Sequence, residues 1–468
     1  MIPVPSNQIT FHPASYGDFN GRVFHWEGGL YRGVAASRAA LYNRLFDDGT
    51  IVCLVERKLL VPTERTPLKV DGFELVLEHR AVPVVSYAYE WTVGMLRDAA
   101  LLALDLEIEL AAIGLTLQDA HPWNILFDGP TPCWVDFGSI VPARPDTLWR
   151  ARDEFDHFYL NPLLLMSRGH HRVARRMLFD SDDGVIAPEA AALTGQPESP
   201  PPLRRRLRQA ARSVARRILP RAVRHAVRDR VLPRAAPLDV SADRPAWLRD
   251  LRDRVASVAT RPPLHNAVHV NGSSGQDDMD DARRRAVAYA LARVKPASAF
   301  EVSYESPFYG TLAARAGVRG VAVAVNEEHV DGLYRHAREH RLDLLPLVMD
   351  VRNPSPGFGL CGQTAAPATA RLASDLVIAL DATHHLGVRY RLNFDQVAAG
   401  LGTFARRALL IDFVDAAHPS TRAYLTPDFA GYTAANFDAA LRRQFPWVER
   451  VEGAERPTFL CFKENAAA

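Results

Sequence analysis

Lysine is scarce in this chain. Lys58, Lys69, Lys295 and Lys463 are the lysines among 56 basic residues, so arginine supplies nearly all the positive charge. Cysteine is scarce as well: Cys53, Cys133, Cys361 and Cys461 lie far apart with no C-x-x-C pair, which signals neither a zinc cluster nor a disulfide framework. No apolar run is long enough to cross a bilayer. The opening MIPVPSNQITFHPASYG has no basic stretch followed by an apolar one, so no secretory signal is expected and a cytoplasmic location is. Net charge is small, at +2, and no aromatic residues interleave with the arginines, so nucleic-acid binding is not expected. At 468 residues, 48% hydrophobic and 24% charged, the composition is that of a soluble chain of two or three domains.

The run Leu117 to Ile140, LQDAHPWNILFDGPTPCWVDFGSI, has acids and an amide at spacings that phosphoryl transfer uses. That chemistry needs a carboxylate to position the attacking hydroxyl, and an amide and a second carboxylate to hold Mg²⁺ on nucleotide phosphates. Asp119 is the candidate base, Asn124 and Asp136 are the candidate metal ligands, and Mg-ATP is the implied cofactor. His121-Pro122 resembles the small-molecule phosphotransferase version of this loop. Met95, Ala99, Leu102, Leu106, Leu110 and Ile113 recur at steps of three and four, which predicts an amphipathic helix with one buried stripe leading in. Arg32, in a hairpin predicted over 21–34, stands where a nucleotide-clamping lysine is expected, and it keeps the charge without the compact ammonium. The bland alternative stays open, because an Asp-Gly turn between apolar strands is also an ordinary hairpin.

Arginines crowd between Arg204 and Arg234, broken by Pro220 and preceded by the proline-rich stretch 197–202. Such a segment either docks on an anionic surface or partner, or is the solvated face of linker helices. A second boundary falls at 265–281, where Asp278, Asp280 and Asp281 read as first-turn charges of the next helix. The expected organisation is a kinase-like α+β domain over 1–185, a Pro/Arg-rich helical linker over 186–281, and an α/β domain over 282–468.

From Ala299 onward, strands and helices alternate as in a doubly wound sheet. Strands are predicted at 299–302, 320–325, 344–349, 375–380, 408–413 and 457–462, with helices at 327–340, 394–404 and 433–445. Ligands of such sheets sit at the carboxyl ends of the strands, near the switch point.

The strings LYRGV at 30–34, SYAYEW at 86–91, LQDAHPWNILF at 117–127, LLPLVMDVRNPSPGFG at 344–359, DLVIALDATHHL at 375–386 and LLIDFV at 409–414 resemble, in consistent order, a bacterial group of class I S-adenosylmethionine-dependent methyltransferases. Some members of that group are nodulation-associated, and they carry a kinase-like region before the methyltransferase domain. The resemblance implies a Rossmann-like C-terminal sheet that binds S-adenosylmethionine. It places Glu301 near the methionine ammonium, Asp350 and Val351 at the adenine, and Asp381, His384 and His385 after the fourth strand. Ser303 and Glu305 fall in the cofactor loop, which has no glycine before Gly310, and Asn326 and Glu327 fall where an acid usually holds the ribose. Methyl transfer to a small-molecule or glycan acceptor is the expected function, with His384 or His385 as a base or as a structural pair. The alternatives are phosphotransfer from Asp119, Asn124 and Asp136, a non-methylating use of the altered pocket, and a scaffold role. The His170-His171 pair is expected at the surface.

Overall fold

The computed structural model describes residues 2–144, 147–195, 244–264, 281–304, 307–426 and 431–464. The arginine tract 204–234, Asp278, Asp280 and Glu305 lie outside the described residues.

The N-terminal half opens with a small antiparallel sheet of β1 (Thr10–Phe11), β2 (Gly21–Trp26), β3 (Gly29–Val34), β4 (Thr63–Arg65) and β5 (Leu75–His79), in the order β1-β2-β3-β5-β4. Helix α1 (Ala36–Asp47) follows β3. The hairpin predicted over 21–34 forms, with Gly21 opposite Val34 and Arg32 on β3. Helix α2 (Val93–Ala112) then leads to the hairpin β6 (Ile125–Asp128) and β7 (Thr131–Trp134). The single apolar stripe expected for α2 is too narrow a description. Ala100, Ala103, Leu104 and Glu107 are buried too, so the helix is enclosed on most sides.

Two arrangements explain that enclosure. Helix α3 (His171–Met177) and the first turn of α2 both face the C-terminal half. Helix α4 (Arg244–Ala256), expected in a linker, lies along α2 instead, with Leu248, Leu251 and Val255 buried. Arg252 grips Asp105 through two bonds, and Arg244 pairs with the fully buried Glu107.

The C-terminal half begins with α5 (Asp281–Val294) and continues β8 (Ser298–Val302), α6 (Tyr309–Arg315), β9 (Arg319–Ala324), α7 (Glu327–Glu339), β10 (Leu344–Val348), β11 (Ser374–Ala379), α8 (Phe394–Phe404), β12 (Ala405–Asp412), α9 (Ala434–Gln444), β13 (Trp447–Arg450) and β14 (Thr458–Phe462). The seven strands run β10-β9-β8-β11-β12-β14-β13. Neighbours from β10 to β12 are parallel, and β14 is antiparallel to both β12 and β13. The apolar runs read as strands are these strands, buried on both faces as a parallel sheet requires. Strand β13 is the one the sequence pattern did not reveal: WVER is short, polar and at the sheet edge.

The two halves share one continuous core, in which Trp91 and Phe127 stack edge to face at 5.0 Å and Tyr334 of α7 packs on Phe127. Charge fixes the join. The orphan amides at the start of α2 need acceptors. Val93 N–H donates to Glu327 Oε1 at 3.2 Å, Gly94 N–H to Asp331 Oδ1 at 2.9 Å, and Met95 N–H to Thr92 Oγ1 at 3.2 Å. Gly94 is required by close approach, since a Cβ there would lie 2.6 Å from Asp331 Oδ1.

Candidate functional site

The strand ends of the large sheet gather most of the residues that the sequence singles out. Glu301, at the end of β8, is fully buried. Its carboxylate accepts from Phe308 N–H at 2.7 Å, Tyr309 N–H at 3.0 Å and Gly310 N–H at 2.7 Å, capping α6. Burial pushes its acid up to about 7 against those three bonds. This carboxylate is engaged within the protein, on amides of the loop and helix that follow it.

Glu327 is engaged in the same way. It is 3% exposed, and its carboxylate binds His171 Nδ1 at 2.8 Å, the Arg175 guanidinium and Val93 N–H, all from the N-terminal half. Burial opposes its charge, but Arg175 and His171 win and hold it below the usual carboxylate range. Glu327 thus links the two halves. His171 is correspondingly buried rather than at the surface, with Nε2 2.8 Å from Arg261 O. Asn326 caps α7 by accepting from Glu328 N–H at 3.1 Å. Ser303 is half-buried, its N–H bonded to Val323 O.

Asp350 and Val351 follow β10 and are half-buried at the rim. Asp350 is gripped by Arg352, Nε at 3.0 Å and Nη2 at 2.5 Å, and the Arg352 guanidinium lies 3.4 Å from the Tyr390 ring centroid. Tyr304, after β8, is 3% exposed and stacks on His385, after β11, at 5.0 Å. In a doubly wound sheet the ligand crevice opens at the switch point, here between β8 and β11. The Tyr304–His385 stack bridges that crevice. Tyr304 was not picked out in the sequence, although an aromatic in a loop expected to be glycine-rich is the signal that would have found it.

Beyond β11 lies a second cluster. Asp381, at φ 60°, receives Arg283 and Arg456 at 2.5 Å each, and its N–H donates to Asp412 Oδ1 at 2.8 Å. Burial opposes the charge on Asp381, but the two guanidiniums hold it below its ordinary range. Asp412, ending β12, is fully enclosed and pushed up to about 6 by burial and by Asp381. His384 is buried with no partner on either ring nitrogen, and burial together with His385 lowers it to about 3. The imidazole is therefore neutral near pH 7. Asp412 and Arg456 were missed in the sequence. The first had a legible signal, an acid closing the apolar run LLI; the second, in a polar loop, had none.

The kinase-like loop also closes on itself. Asp119 is accepted as a partner by Asn124, whose amide donates to Oδ1, and by Ser139 Oγ at 3.2 Å. Burial, then Asp136 and Glu154, raise Asp119 to about 7. Arg32 reaches Asp136 at 2.8 Å, as a strand cation at such a site does, but it also holds Asp18 at 2.5 Å. Arg32 is 4% exposed, and a Cβ at Gly138 would sit 2.6 Å from its Nη1 and 2.7 Å from Asp18 Oδ2. The two candidate metal ligands are both engaged within the protein: the Asn124 amide is turned to Asp119, and the Asp136 carboxylate is paired with Arg32. Among the described residues no group of three or more His, Cys, Asp or Glu is placed to hold a metal. No described helix is long and apolar enough to cross a membrane.

The strand order, with an antiparallel last strand inserted beside β12, defines the class of the C-terminal half: a methyltransferase-like Rossmann sheet, joined to an N-terminal half with a five-stranded antiparallel sheet of its own. The particular likeness is to nodulation protein NoeA of Rhizobium meliloti (strain 1021), 24% identical over 463 residues, spanning 95% of this chain and 94% of that protein. No family model matches the chain. Among solved structures, the bifunctional kinase-methyltransferase WbdD aligns at 14% identity and TM-score 0.29, over 39% of each chain. The chain thus spans well under half of that protein. Magnesium protoporphyrin IX methyltransferase ChlM of Synechocystis PCC 6803, with bound S-adenosylmethionine, aligns at 15% identity and TM-score 0.27, over 42% of this chain and 87% of that one. Scores this low carry no argument, and the class rests on the strand order.

Proposed function

We propose that this chain is an S-adenosylmethionine-dependent methyltransferase acting on a small-molecule or glycan acceptor. The observation that carries this reading is that Asp350 follows β10 while Asp381, His384 and His385 follow β11, all at the carboxyl ends of parallel strands in a sheet with class I order. The fit to the cofactor is uneven. Asp350 and Val351 fit an adenine edge once Arg352 yields, whereas Glu301, expected at the methionine ammonium, and Glu327, expected at the ribose, are bonded within the protein. S-adenosylmethionine supplies an activated methyl group, so the protein's task is mainly to position donor and acceptor. His384, neutral and unpartnered, accepts a hydrogen bond from the acceptor and orients it, while Asp381 is fixed by its two arginines. At about 3, His384 is too weak a base to drive proton removal by itself.

The domain limits we propose are 1–185 for the kinase-like unit and 282–468 for the methyltransferase-like one. Helix α4 of the intervening segment sits on the former. A second reading, that the crevice serves a non-methylating ligand or none, draws on the Tyr304–His385 stack across the switch point. Phosphotransfer has the raised acid of Asp119 in its favour, but Asp18 occupies the cation that a nucleotide phosphate would need. The variants separate the readings. Asp350→Ala should weaken S-adenosylmethionine binding at least about tenfold, roughly 1.4 kcal/mol, and Asp119→Ala should leave it unchanged. The reverse pattern would overturn the proposal.

A further inference from the structure

Arg352 fills two groups that a ligand of the crevice would otherwise meet. Its Nε donates to Asp350 Oδ1 at 3.0 Å and its Nη2 to Oδ2 at 2.5 Å, so both carboxylate oxygens are taken. The same guanidinium lies over the Tyr390 ring, 3.4 Å from its centroid. A second guanidinium, that of Arg389, stands farther off at 5.4 Å, so Arg352 is the one in stacking contact. Tyr390 ends the helical turn His385–Arg389, and its ring is 5.8 Å from that of Tyr304. The Arg352–Tyr390 contact therefore adjoins the Tyr304–His385 stack at the switch point.

The pairing is local and open to water. Asp350 and Arg352 stand two residues apart, in a turn closed by Asn353 N–H to Asp350 O at 2.9 Å, and their side chains are 24% and 30% exposed. An ion pair at such a rim is only weakly favoured over its solvated partners. The Arg371–Glu90 pair, on the same connection between β10 and β11, is 4% and 1% exposed and ties that connection to the N-terminal half. Arg371 is thus committed to the fold, whereas Arg352 is free to swing out. A guanidinium is flat, presents N–H donors along its edge and stacks on aromatic faces. Adenine is flat too, presents its N6 amino group as an edge donor and stacks on aromatic rings. Arg352 therefore makes, with Asp350 and Tyr390, the two contacts that such a base would make.

We propose that Arg352 is a built-in occupant of the adenine subsite, closing it until the cofactor displaces the guanidinium, and that Tyr390 is the ring on which the base then stacks. This rests on the reading of the crevice as an S-adenosylmethionine site. The test is calorimetric titration of the full chain with S-adenosylmethionine and, separately, with S-adenosylhomocysteine. The second ligand lacks the sulfonium charge, so a gain in its affinity is not owed merely to removing a positive charge from the site. Arg352→Ala should tighten both ligands about three- to tenfold, because apparent affinity rises with the fraction of molecules whose site is open. A residue that only supports the fold would not bind tighter when removed. Tyr390→Leu keeps apolar bulk and should weaken both ligands at least about fivefold, while Tyr390→Phe keeps the ring and should bind as the wild type does. If the wild type binds S-adenosylmethionine but Arg352→Ala binds S-adenosylhomocysteine no tighter, or Tyr390→Leu binds both ligands as the wild type does, this proposal is overturned and the methyltransferase reading stands. Binding of neither ligand by the wild type or any variant would overturn both.

Discussion

His384 is a buried imidazole whose neighbours favour its neutral form, and that fact has a measurable consequence. Burial and His385 lower its folded pKa to about 3, below the ordinary 6.5. Between those values the unfolded chain takes up a proton that the folded chain does not, so stability is fully present above about pH 6.5 and is lost as pH falls toward 3. His384→Gln removes the titration. Between pH 7 and 5 the wild type should lose about 2 kcal/mol more than the variant in urea unfolding; parallel losses would mean that His384 is not held neutral. At this scale the sequence was partly legible. Asp350 and the His-His pair stand in strings that place them at strand ends, and they are there. For Glu301 and Glu327, sequence gives position along a strand or helix but not the partners within the protein that each carboxylate finds. The amides capped by Glu301 belong to a helix seven residues on, and the partners of Glu327 lie more than 150 residues away.

At the scale of elements, the join between α7 and α2 decides how the two halves behave. Glu327 and Asp331, one turn apart on α7, serve the first two amides of α2, and Asp98 of α2 receives the Tyr334 hydroxyl at 2.6 Å and the Arg338 guanidinium in return. Breaking a buried ion pair by removing one charge costs about 3–5 kcal/mol. Glu327→Gln should therefore destabilise the chain by about 3 kcal/mol and begin to separate the unfolding of the two halves, as seen by calorimetric scanning. An unchanged transition with weaker cofactor binding would instead return Glu327 to the ribose. The strands and helices of the large sheet were read closely from their apolar runs because each is a continuous local pattern. The enclosure of α2 and the seating of α4 were not, since both come from surfaces contributed by distant segments.

At the scale of the whole molecule, two clusters far apart in sequence are joined by one core, and each is partly filled by the chain's own side chains. The kinase-like cleft holds an Asp18–Arg32–Asp136 series, and the sheet crevice holds the Tyr304–His385 stack. The Rossmann class was legible from alternating elements and family strings, whereas the closing of both clefts depends on side-chain pairings that no local pattern encodes. Asp18→Asn should relax the hold on Arg32. If Asp18 alone blocks the nucleotide site, Mg-ATP affinity should rise at least tenfold by fluorescence titration, and no change would show that Asp136 is committed to Arg32 regardless. The most direct test of the central claim is calorimetric titration of the full chain with S-adenosylmethionine. Saturable micromolar binding is expected, weakened at least about tenfold in Asp350→Ala. No heat with S-adenosylmethionine, together with Mg-ATP binding that depends on Asp136, would contradict it.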